Sequence, residues 1–247
     1  MYLRTAAFAA FALALAACNK SGDAADGAAP SGKALPTVAA PAGKAWSEVV
    51  EETPEGGVRM GNPDAPIKLI EYGSLSCPHC AKLSQEGAEK LTQQYVGSGR
   101  VSWEFRSFAI HPQDIPLTVL VRCASKDAFF PLVDQIYGNF DAMNKPLEDQ
   151  AVLQRAQAAM QLPPAQRFGA FADAIGYTQF FAQRGVAADQ AKACLADTAK
   201  AQQVADLAQK YGAEGIDSTP TLLVNGSKLN VGEWAGLETA LQNAGAR

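Results

Sequence analysis

Cys77-Pro-His-Cys80 stands between two segments of different hydrophobic pattern, and this placement constrains the fold more than any other feature of the 247-residue chain. Ahead of it, Ile67-Lys-Leu-Ile-Glu-Tyr72 is a compact apolar run that reads as a strand central in a sheet. Gly73 to Ser76 is a loop. Behind it, residues 80–95 place Leu83, Ala88, Leu91 and Tyr95 at helical spacing, and Gly97 and Gly99 end the helix. Residues 100–110 carry the aromatic and β-branched content of a second strand. Strand, helix and strand over about forty residues predict a βαβ unit with parallel pairing.

In that context a Cys-x-x-Cys pair reads as a redox motif. Cys77 falls at the helix start, where unpaired N–H groups and the helix dipole favour an anion. A thiol held there has a lowered pKa and is the sulfur that attacks or is attacked. Cys80 lies one turn on, within reach of an S–S bond. His79 adds donors beside the thiolate. Stabilising that thiolate stabilises the reduced form, so the pair is expected to be an oxidant that gives its disulfide away. Haem attachment requires His directly after the second cysteine, where Ala81 stands. A zinc site requires two more ligands. Cys123 and Cys194 are available but belong to no second Cys-x-x-Cys pair. A purely structural disulfide also remains open.

The rest of the chain organises around this unit. Residues 116–195 read as helix throughout, rich in Ala and Gln and punctuated at Pro131, Pro146 and Pro163-Pro164. Residues 198–211 form another helix, stopped by Gly212 and Gly215. Thr221-Leu-Leu-Val-Asn225 is a strand, and Asn225-Gly226 is a two-residue hairpin signal leading into residues 228–231. Residues 234–244 close the chain as a helix.

Together, Gly61-Asn-Pro-Asp-Ala-Pro66, the following strand, Cys77-Pro-His-Cys80 and Gly215-Ile-Asp-Ser-Thr-Pro220-Thr-Leu-Leu-Val-Asn-Gly226 resemble the DsbA-type thiol–disulfide oxidoreductases of the thioredoxin superfamily. The resemblance covers residues 57–245. It implies an α/β, thioredoxin-like fold with an inserted helical subdomain: residues 46–111 and 197–247 form the thioredoxin-like domain and residues 112–196 the insertion. It implies a cis peptide before Pro220, facing the cysteine pair, with Thr219 and Pro220 pairing with an extended substrate segment. Glu71 matches a position where the family carries a buried acid, whose pKa desolvation raises and which moves protons during exchange. Cys123 and Cys194 correspond to a second, structural disulfide in some DsbA-like proteins. The implied activity is disulfide donation to unfolded exported proteins, with no cofactor and with reoxidation by a quinone-linked membrane partner of the DsbB type. An isomerase or reductase of the same fold, or a tethered binding protein with a structural disulfide, remains an alternative. Residues 18–56 are too short and polar for the dimerisation region of DsbC-like isomerases, which favours a monomer. His111-Pro112 reads as a loop element without chemistry.

The N-terminus sets the expected location. Arg4 followed by the apolar run of residues 5–17 is a secretory signal, too short to span a bilayer. Its end, Leu15-Ala16-Ala17-Cys18, resembles a bacterial lipoprotein signal. That resemblance implies cleavage after residue 17, acylation of Cys18 and a periplasmic protein anchored to a membrane. Residues 18–45 hold no aromatic and only Leu35 and Val38 as large aliphatics, so they read as a flexible tether. A formal charge of −4, from 21 basic and 25 acidic residues, argues against nucleic-acid binding.

Overall fold

The computed structural model describes residues 32–247. The expected signal peptide and Cys18 lie outside the described residues. Six strands form one sheet in the order β1-β2-β4-β3-β5-β6. They are β1 (Val50–Glu52), β2 (Val58–Gly61), β3 (Ile67–Gly73), β4 (Val101–Ser107), β5 (Thr221–Val224) and β6 (Ser227–Lys228). β3 and β4 pair in parallel, from Ile67↔Val101 to Gly73↔Ser107, and the other pairings are antiparallel. The expected βαβ unit is therefore present. Its helix, α1 (Pro78–Lys90), begins two residues before the expected position. The reason is Pro78, whose fixed φ and missing N–H suit the first helical position. The end of the expected helix is a π-helical turn, Leu91–Val96.

The hairpin of β1 and β2 was not anticipated. Each strand is short and carries charge (Glu51 and Glu52, Arg59), so its alternation is too brief to stand out. The Asn225-Gly226 turn is as expected, with both residues at positive φ, 50° and 81°.

The insertion consists of α2 (Asp114–Cys123), α3 (Phe129–Gly138), α4 (Phe140–Asn144), α5 (Gln150–Ala159), α6 (Pro164–Ile175), α7 (Tyr177–Ala182) and α8 (Ala188–Ala196). α9 (Thr198–Ala213) and α10 (Trp234–Asn243) complete the chain. One sheet face, with Leu69, Trp103 and Phe105, packs on α1, α10 and the insertion. Trp103 meets Phe130 at 4.7 Å and Phe105 meets Phe129 at 6.0 Å between ring centroids. The other face, with Ile70 and Tyr72, packs on α9 through Leu207 and Tyr211. Gly87 permits the close approach of α10 to α1, because a Cβ there would lie 2.0 Å from the Trp234 ring. No helix among the described residues is long and apolar enough to cross a membrane.

The expected tether ends sooner than residue 45. The Leu35 N–H donates to Gly245 O and the Val38 N–H to Ser98 O, both at 2.9 Å. The Trp46 indole N–H donates to Val38 O at 2.7 Å. Gly99, at φ 72°, leaves room for this segment, since a Cβ there would lie 2.5 Å from Val38 O. Side-chain composition suggested a free chain, but main-chain hydrogen bonds hold it.

Cys123, at the end of α2, is bonded to Cys194 in α8, with S–S 2.01 Å and a sequence separation of 71. This pairing removes both sulfurs from any zinc site. Closing a loop of that length is expected to contribute about 4 kcal/mol on the chain-entropy model. Replacing both cysteines with Ala should therefore lower the urea midpoint at unchanged m-value. An unshifted midpoint would show that the bridge adds nothing.

Candidate active site

The C-terminal end of β3 delivers the chain into Ser74–Cys77, and α1 starts at once. Cys77 is the N-cap, in extended backbone (φ −88°, ψ 123°), so the first-turn N–H groups of α1 point at its sulfur. Its thiol is lowered to about 5. The largest cause is a hydrogen bond from the Cys80 thiol. The Thr219 hydroxyl and the backbone N–H groups of Cys80 and His79 add to it, against an opposing effect of burial. His79 thus acts through its main chain, while its side chain is exposed.

Cys80 is fully buried, and its thiol is raised well above the ordinary value. Burial is the main cause, followed by its role as donor to Cys77 and by the negative charge of Glu71. The two sulfurs of one motif therefore differ in ease of ionisation because one caps the helix and the other lies inside it.

Thr219-Pro220 is a cis peptide, as the resemblance implied. It brings Thr219 O to 3.4 Å from Cys77 Sγ. Thr219 Oγ1 is buried and has no partner among the described residues apart from Cys77. A buried hydroxyl without a partner is costly, and a Cys77 thiolate is an acceptor it can serve.

Glu71 sits in the middle of β3, 4% exposed, on the sheet face that carries α1. Burial raises its carboxyl to about 8, offset in part by the Trp103 indole N–H, 3.1 Å from Oε2. At neutral pH it is mainly a neutral acid beside Cys80.

Four residues at this site were not singled out from the sequence. Asp114, at the start of α2, accepts from Ser74 Oγ and the Ser76 N–H, and the Tyr137 hydroxyl donates to Ser74 O. His111 also comes to the site, with Nδ1 3.0 Å from Ser76 Oγ, where the sequence offered only a loop element.

With this geometry in hand, kinship is informative. Residues 53–243 match the family described as Thioredoxin. The chain belongs to the thioredoxin family. A putative protein-disulfide oxidoreductase of Rickettsia bellii is 32% identical over 82 residues, which is 33% of this chain and 32% of that protein. A probable disulfide bond formation protein D of Bacillus cereus is 31% identical over 84 residues, 32% of this chain and 39% of that protein. The chain thus matches between 32% and 39% of the length of these two relatives. Among solved structures, a protein-disulfide isomerase from Novosphingobium aromaticivorans superposes with a TM-score of 0.68 at 26% identity. It covers 74% of this chain and 94% of that one. The α-DsbA1 protein of Wolbachia pipientis shares the fold, with a TM-score of 0.54 at 22% identity, covering 78% of this chain and 92% of that one. The thioredoxin-like fold with a helical insertion is the one the sequence led us to expect.

Proposed function

We propose that this chain is a thiol–disulfide oxidoreductase that donates a disulfide through Cys77 and Cys80 to unfolded, exported proteins. The observation that carries this reading is the asymmetry of the two sulfurs, with Cys77 favoured as an anion and Cys80 disfavoured. Starting from the enzyme disulfide, a substrate thiolate attacks Cys77 Sγ and the Cys77–Cys80 bond breaks. Cys80 leaves with the electron pair and takes a proton, for which neutral Glu71 is the adjacent acid. A second substrate thiolate then attacks the substrate sulfur of the mixed disulfide, and Cys77 leaves as a thiolate. A leaving thiol of low pKa departs fast. The substrate loses two electrons, and the enzyme is left as a dithiol.

Thr219 lies against Cys77, and Thr219 and Pro220 are assigned to the substrate backbone. The names of the relatives support the reaction class. In this reading the protein is a periplasmic monomer, held to a membrane through acylated Cys18 and reoxidised by a quinone-linked partner of the DsbB type.

Equilibration with glutathione tests the direction of the reaction. A potential nearer about −120 mV than about −270 mV is expected. A value at the reducing end would instead assign an isomerase or reductase role, in line with the name of the Novosphingobium structure. A second reading, a binding protein with a structural disulfide, draws on the burial of Cys77, which is 4% exposed. Alkylation after mild reduction separates the two, because a Cys77 that stays unmodified supports only the second.

A further inference from the structure

Asp114 is 1% exposed, yet its carboxylate oxygens accept from four donors. The Ser74 hydroxyl is 2.9 Å from both oxygens, and the Ser76 N–H is 2.9 Å from Oδ1. The N–H groups of Ile110 and His111 are 3.0 and 2.9 Å from Oδ2. The last two belong to Asp114's own lead-in, four and three residues before it in the chain. The first two come from the loop that enters Cys77, on another element. Asp114 therefore ties the insertion to the catalytic loop.

Ser74 is the point at which this tie reaches the sulfurs. Its carbonyl accepts the Cys77 N–H at 3.1 Å and the Tyr137 hydroxyl at 3.0 Å. Its backbone N–H is hydrogen-bonded to Cys80 and stabilises that sulfur as an anion. A loop shift of a few tenths of an ångström weakens both, because hydrogen bonds fall off steeply with distance and angle.

We propose that Asp114 is a positioning residue for the Cys77–Cys80 couple, holding Ser74–Ser76 where the loop seats Cys77 as a thiolate at the start of α1 and so setting the balance between dithiol and disulfide. This rests on the exchange activity proposed above. Asn at the position has one oxygen in place of two and turns an NH₂ group toward N–H donors, so the four-donor arrangement cannot be kept. The dithiol form depends on the loop's placement of Cys77 more than the disulfide form does, because only the dithiol form carries a thiolate for the first turn of α1 to stabilise.

The test is the equilibrium of full-length protein with glutathione, in which two glutathione thiols reduce the enzyme disulfide and leave as glutathione disulfide. Asp114→Asn is expected to shift this equilibrium at least tenfold toward the enzyme disulfide, about 30 mV for a two-electron couple. The Cys77 titration, followed by thiolate absorbance, is expected to move upward. Ser74→Ala, which removes one donor and leaves the carboxylate in place, should shift both in the same direction by a smaller factor. It also serves if Asp114→Asn does not fold. A merely structural Asp114 predicts equal losses of stability in the dithiol and disulfide forms and an unmoved equilibrium, and that result overturns the inference. If the unsubstituted protein itself fails to exchange with glutathione, the exchange reading falls first and takes this inference with it.

Discussion

Cys77→Ser is expected to remove disulfide donation entirely, lowering the oxidation of a reduced model protein by on the order of 10³-fold or more. Serine can neither form the enzyme disulfide nor accept a substrate sulfur, so no weaker covalent route replaces it. Cys80→Ala cannot form the enzyme disulfide, but its Cys77 thiolate still attacks a substrate or glutathione disulfide and releases one thiol, and with nothing to expel the bound sulfur from within it should accumulate as the mixed disulfide. Titration of the unsubstituted dithiol should show thiolate absorbance appearing near pH 5, well below an ordinary cysteine. Activity persisting in Cys77→Ser would move the chemistry to another pair, and Cys123–Cys194 is the only other pair among the described residues. An ordinary titration at residue 77 would remove the reason for donation rather than isomerisation.

The parts of this site that could be read in the sequence are those fixed by short-range geometry. Cys77 and Cys80 sit one helical turn apart, and Pro78 between them marks the helix start. Glu71 falls in the run that reads as a central strand, but its burial was implied only by the family resemblance. Pro220 needed the wider resemblance, since a cis bond has no local signature beyond the proline itself. Asp114 could not be found this way. Its donors Ser74 and Ser76 lie 40 and 38 positions earlier in the chain, and Tyr137 lies 63 positions after Ser74. Partnerships between loops on different elements follow no period, so neither helical nor strand patterning reveals them. The held segment around Leu35 and Val38 was missed for a related reason, because every residue type except proline can donate its main-chain N–H.

Glu71→Gln is expected to separate the two consequences of burying an acid beside Cys80. The carboxyl titrates near 8 in the folded protein against 4.5 ordinarily, so the folded state binds more protons across that interval. Stability must then fall as pH rises from about 4.5 to about 8, by on the order of 5 kcal/mol, with the full cost present above pH 8. Gln has the size of Glu and can still accept from the Trp103 indole, but it never ionises. The variant should therefore lie about 1 kcal/mol below the parent near pH 4.5, for the buried NH₂ group, and exceed it by roughly 3–4 kcal/mol at pH 9. Denaturant unfolding at the two pH values measures this directly. The rate should move the other way. At pH 7 neutral Glu71 holds the proton that Cys80 needs on leaving, and Gln cannot supply it, so attack by a substrate thiol should slow by about 10²-fold. The parent should lose the same advantage above pH 8 as Glu71 ionises, while the variant shows no such decline. A variant that is faster or unchanged at pH 7 would leave Glu71 with a cost to the fold and no part in proton transfer.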